Sequence, residues 1–174
     1  MSVKKILDSL VVDRAPGPHP SFSVFDVTKF LEIIGESGTV GRGRLSDRLG
    51  LGQGATRTLI SRLTEAGLIS TSKGGSSLTE KGRKIWSELK AILPRKVKLE
   101  KNELTLAACN VAALVRDRGQ KVTNGLEQRD AAVKAGAKGA VTLVFKSNKL
   151  LLPAISTDLS EDFPIALNQI TRLM

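Results

Sequence analysis

Arg57, Thr58, Ser61 and Arg62 place two guanidinium groups and two hydroxyls within a short stretch. Spacings of three and four bring such groups together on one side of a helix. An arginine can meet guanine O6 and N7 with two parallel hydrogen bonds, and small hydroxyls can reach bases or phosphates. Lys73 stands between Ser72 and Gly74, where a cation beside nearly bare backbone can neutralise a phosphate. Arg42, Arg44 and Arg48 add positive charge upstream. This is the chemistry of gripping a polyanion.

A second polar concentration comprises Asn124, Glu127, Gln128, Arg129, Asp130 and Lys134. It could line a pocket for a small effector, since a helix start can take an anion. Local geometry favours a structural role, with Asn124 and Glu127 capping a helix and Asp130 pairing with Lys134 one turn on. Nothing resembles a catalytic constellation: there is no Ser/His/Asp set, no glycine-rich phosphate loop after a strand and no metal-ligand spacing. The one histidine, His19, lies among prolines, and the one cysteine, Cys109, lies in an Ala/Val run that predicts a buried small residue. No catalytic residue, cofactor or metal is expected. Acid–base chemistry through Glu127 or Asp130, under control of a DNA-binding domain, is the enzymatic alternative.

The net charge of +10 and pI of about 10.1 favour a nucleic acid over a membrane surface in the absence of lipid motifs. The surplus is not a detachable tail, because residues through Arg95 carry 15 basic and 9 acidic side chains and those beyond it 12 and 8. Aromatic residues make up 3% and tyrosine is absent, so the stacking platform of single-strand readers is missing. Double-stranded DNA is the expected partner, with RNA as the alternative. No run approaches the roughly 18 apolar residues of a membrane span, so no membrane association and a cytoplasmic location are expected. A single cysteine excludes an intrachain disulfide.

The elements that must position these groups follow from periodicity. Val3, Ile6, Leu7, Leu10 and Val11 form a helical stripe. Pro16, Pro18 and Pro20 then impose an extended connector over 14–21. Ser23 and Asp26 resemble a capping box, followed by Val27, Phe30, Leu31 and Ile34 on one helix face. A short helix is predicted near 44–49, turned by Gly50-Leu51-Gly52, and a third over 53–66, closed by Gly67. On the third, Ala55, Leu59, Ile60 and Leu63 share one side, which turns Arg57, Thr58 and Ser61 outward and leaves Arg62 at the margin. Residues 68–71 and 77–79 flank Lys73-Gly74-Gly75-Ser76 as a hairpin whose glycines suit positive φ. Thr79 caps a further helix carrying Ile85, Trp86, Leu89, Ile92 and Leu93, stopped by Pro94.

Beyond it, 95–102 is charged and predicts a boundary. The apolar run 104–115 predicts a buried strand or two, with a helix as the alternative its alanines leave open, 124–136 a helix, 140–145 and 149–153 a hairpin, and the stripe Phe163, Ala166, Leu167, Ile170, Leu173 and Met174 a last helix beginning with Pro164. The fold class is thus α+β: an N-terminal helix and connector over 1–22, a winged helix-turn-helix over 23–94, and a small two-layer β-α-β-β-α domain over 95–174. In such an arrangement the third helix reads the major groove and the wing contacts phosphates. A homodimer is expected, because helix-turn-helix proteins read paired half-sites.

Three strings carry a resemblance: Pro-Gly-Pro-His-Pro-Ser-Phe at 16–22, Gly-Ala-Thr-Arg-Thr-Leu-Ile at 54–60 and Asn-Gly-Leu-Glu-Gln-Arg-Asp at 124–130. Through them the chain resembles the archaeal winged-helix proteins with a C-terminal DUF4443 domain. The resemblance implies a transcriptional regulator whose second domain is similar to the GAD-type two-layer α/β fold. It implies no ligand and no chemistry.

Overall fold

The computed structural model describes residues 3–12, 20–105 and 107–173. Most of the proline connector, His19 included, lies outside the described residues. The chain divides into two compact units, Met1–Lys90 and Ala91–Met174.

The first unit contains α1 (Val3–Val11), α2 (Val24–Ser37), α3 (Arg42–Leu49), α4 (Gln53–Glu65), the hairpin strands β1 (Ile69–Ser72) and β2 (Gly75–Leu78), and most of α5 (Glu80–Ile92). One core joins them, with Leu10, Phe30, Leu31, Leu45, Leu59 and Leu63 among its most buried members. Helix α1 therefore forms part of the winged-helix core and is not a separate leading segment. The expected cap of α2 is present: the Ser23 amide donates to Asp26 Oδ2 at 2.7 Å and its hydroxyl donates to the same oxygen at 2.8 Å. At the start of α5 the Thr79 hydroxyl accepts from the Gly82 amide at 3.0 Å and donates to the Gly67 carbonyl at 2.6 Å.

The wing departs from expectation in one respect. Its register pairs Ser72 with Gly75 and leaves only Lys73-Gly74 as the turn. Positive φ falls on Gly75, at 127°, within β2. A Cβ there would overlap the Val40 carbonyl. Val40 bridges β2 at this place through its amide to the Ser76 carbonyl at 3.0 Å and the reverse bond at 2.9 Å. Gly75 thus serves close backbone approach to a neighbouring chain segment.

In the second unit, β3 (Arg95–Leu99) pairs antiparallel with β4 (Asn110–Leu114), a 3-10 turn spans Gly119–Lys121, and α6 (Leu126–Lys134) precedes β5 (Val144–Lys146), β6 (Lys149–Leu151), α7 (Leu159–Asp162) and α8 (Pro164–Leu173). Three sequence expectations need correction. The charged stretch after Pro94 is a strand: Lys96 and Lys98 face water while Val97 and Leu99 are half-buried, the period of two that a charge count conceals. The expected β-α-β-β-α order therefore gains a strand, and the strands form separate antiparallel pairs. Among the described residues the apolar run 104–115 contributes only β4, with Val111 66% exposed because a two-stranded ribbon leaves one face to water, and Cys109, just before the strand, is exposed as well.

The β5–β6 turn is tight, with Ser147 and Asn148 both left-handed at φ 50° and 62°, the pair of positive φ values that matches the twist of the flanking strands. Helix α8 is capped from far along the chain, since the Glu103 carboxylate accepts from the Ile165 and Ala166 amides at 2.9 and 2.8 Å. Lys149 Nζ lies 2.6 Å from Asp158, and this bond, with those from Ser160, holds the Asp158 carboxyl well below the usual carboxylate range. Among the described residues the unit's buried apolar side chains are few, namely Leu152, Leu159 and Ala166. The α8 stripe is right in phase but mostly half-buried. Among the described residues no helix is long and apolar enough to cross a membrane.

Candidate nucleic-acid interface

Helices α3 and α4 meet through a glycine-bounded turn. Gly50 takes the left-handed conformation at φ 71° and its amide returns to the Ser46 carbonyl at 3.0 Å. The buried Ser46 hydroxyl donates to the Leu51 carbonyl at 2.6 Å. Leu45 and Leu49 anchor α3 in the core, and Leu59 and Leu63 anchor α4. That anchoring fixes which face of α4 meets solvent.

On this face Arg57 is exposed and makes no hydrogen bond or ion pair among the described residues. Thr58 and Ser61 are exposed too, but their hydroxyls already donate, to the Gly54 carbonyl at 3.1 Å and to Glu65 Oε1 at 3.0 Å. Both can then serve a partner only as acceptors. Lys73 occupies the exposed wing turn. Arg44 is exposed, whereas Arg48 is drawn to the end of α2 through a 3.0 Å bond to the Ser37 hydroxyl.

Arg62 does not belong to this face. It is only 7% exposed, and its Nη1 donates to the carbonyls of Leu10 at 2.7 Å and Val12 at 2.9 Å. Its guanidinium carbon lies 5.5 Å from the centre of the Phe22 ring. A marginal position on a helical wheel can turn either way, and here α1 supplies orphan carbonyls that only a donor can satisfy. The residue caps α1 and is closed to a nucleic acid.

Sequence reasoning did not single out Gln53. Together with Arg42, Gly43 and the wing turn it lines a groove of about 580 Å³ between the start of α3 and the hairpin. Only the tertiary approach of the wing to α3 reveals it.

The polar set in the second unit is dispersed over an exposed helix. No residue of α6 is buried. Gly125, left-handed at φ 79°, is the cap residue, and Asn124 Oδ1 accepts from the Leu126 amide at 3.1 Å. Asp130 takes the guanidinium of its neighbour Arg129 at 3.0 Å. Glu127 is exposed and Gln128 half-buried. Among the described residues no group of three or more His, Cys, Asp or Glu side chains gathers as metal ligands do.

Residues 28–93 match the family described as the CggR N-terminal DNA binding domain, and residues 106–174 match DUF4443, a domain of unknown function. The chain thus couples a winged helix to a second unit similar to DUF4443. A solved hypothetical protein from Pyrococcus horikoshii OT3 is similar over 85% of this chain and 74% of its own, with 28% identity and a TM-score of 0.57. No curated protein matches. The DNA-binding family match covers α3, α4 and the wing, while DUF4443 covers β4 through α8 and assigns no activity to them.

Proposed function

We propose that the chain is a sequence-specific double-stranded DNA-binding regulator of transcription, acting in the cytoplasm without catalysis of its own. Helix α4 reads the major groove and the wing holds phosphate. The observation that carries this reading is the free, exposed Arg57 on a helix locked by Leu59 and Leu63, within a segment similar to a DNA-binding domain.

Arg57 and Lys73 have separable roles. Arg57→Ala weakens a duplex selected from genomic DNA by about 1–3 kcal/mol and relaxes preference at one base position. Lys73→Ala weakens selected and scrambled duplexes alike and lowers the salt slope by about one unit. Titration of both variants against both duplexes across a salt series measures this, with duplex RNA and single strands as competitors. If neither substitution changes duplex binding, or RNA competes better than DNA, the proposal fails.

The working form is a homodimer. Support comes from the second unit, which buries few apolar side chains and leaves Val111, Phe145, Ile155 and Ile165 each more than 60% exposed, surface that a small domain gains by covering. Light scattering of the full chain is expected to give twice the chain mass. A monomer, both free and on the selected duplex, contradicts it.

A further inference from the structure

Strand β4 pairs with β3 along one edge. Among the described residues the backbone of Asn110–Leu114 makes no hydrogen bond to any other segment. In an antiparallel pair alternate residues turn their N–H and C=O groups away from the partner strand, so β4 presents a second edge of unpaired donors and acceptors. Val111 and Ala113 are exposed on this strand, and Val115 just beyond it is 49% exposed.

Open strand edges are ordinarily guarded by charge, lysine above all. In the second unit β3 carries Arg95, Lys96 and Lys98, β5 carries Lys146 and β6 carries Lys149. Strand β4 carries no charge, and the whole stretch 104–115 holds no charged residue, no proline and no glycine. Such a strand, left open, takes up a further strand. Without cations it does not attract a polyanion, and without charge of either sign it gives a charged peptide nothing to recognise. A copy of itself meets no like charge there. Pairing about a twofold axis also stops growth, because both outer strands of the enlarged sheet are then the lysine-bearing β3.

We propose that β4 pairs antiparallel with β4 of a second copy of this chain, giving a four-stranded sheet in the order β3-β4-β4-β3. The inference rests on the homodimer reading and assigns its interface to one strand edge of the second unit. Main-chain hydrogen bonds supply the pairing, and Val111 is the exposed apolar side chain that the contact covers.

The experiment uses the full chain and sedimentation equilibrium at low ionic strength. Val111→Lys combined with Ala113→Lys gives β4 the guard that β3 already has, at two exposed positions, and circular dichroism checks that the fold is kept. This double variant is expected to raise the Kd of the dimer about 100-fold or more, the effect of like charges set against each other across an interface. Ile155→Lys, which removes a comparable apolar side chain away from the strand, is expected to leave that Kd unchanged. A folded double variant that dimerises as tightly as the parent overturns the edge assignment and leaves the dimer itself intact, as does dissociation by Ile155→Lys alone. Should the double variant fail to fold, amide hydrogen exchange of the parent decides: exchange over 110–114 is expected to slow as protein concentration rises through the Kd, and slowing confined to other segments overturns the assignment. A parent chain that stays monomeric overturns both readings together, and one that grows beyond two chains overturns the closed pairing.

Discussion

Arg62→Ala lowers the stability of the N-terminal unit by about 2–4 kcal/mol and its Tm by about 10 °C or more, while leaving affinity for DNA unchanged below that temperature. The guanidinium is buried and satisfies two carbonyls at the end of α1 through one nitrogen, at 2.7 and 2.9 Å, against the Phe22 ring. Its removal deletes two charge-assisted bonds, a ring contact and a space-filling stem at once. Arg62→Lys recovers part of the loss, because both bonds come from a single donor atom, but it lacks the planar face that rests on Phe22. Chemical denaturation of the three proteins gives the stabilities, and titration with a random duplex at low temperature gives the binding. A folded Arg62→Ala protein with a reduced salt slope would return Arg62 to the interface.

Gly82→Ala destabilises the same unit by about 3 kcal/mol or more, although alanine is the better helix former. A Cβ at this position would overlap the carbonyl of Leu68, and Leu78 Cδ2 lies 3.3 Å away on another side. That carbonyl cannot retreat easily, since it accepts from the Thr79 amide at 3.0 Å, and Thr79 in turn caps α5 through the Gly82 amide. The denaturant midpoint of Gly82→Ala should therefore fall below that of the parent chain. A neutral or stabilising Gly82→Ala would mean that α5 can shift away from the β1 approach without cost.

Much of the first unit is legible along the chain because its signals are local. The stripe of α1, the Ser23–Asp26 cap, the alternation of Leu59 and Leu63 with Arg57 and Ser61, and Thr79 before α5 each depend on neighbours within one or two helical turns. The second unit is less legible. Lys96 and Lys98 masked β3 because charge and period-two alternation coexist on a strand with one wet face. The apolar run before Val115 looked deeply buried because composition does not say how many strands will pair with it.

The sequence by itself determined the order of helices, the hairpin, the exposed Arg57 and Lys73, and the positive balance that makes a polyanion the natural partner. Tertiary structure decided the identities that depend on distant segments. Arg62 became a cap because α1 ends beside it, Glu103 became the cap of α8 from 62 residues away, Gly75 became a point of contact with Val40, and Arg42 came to share a groove with Lys73. The physical reason is the same in each case: a helix or strand fixes the direction of a side chain from its own backbone geometry, whereas what the side chain meets is set by packing between segments that no local spacing encodes.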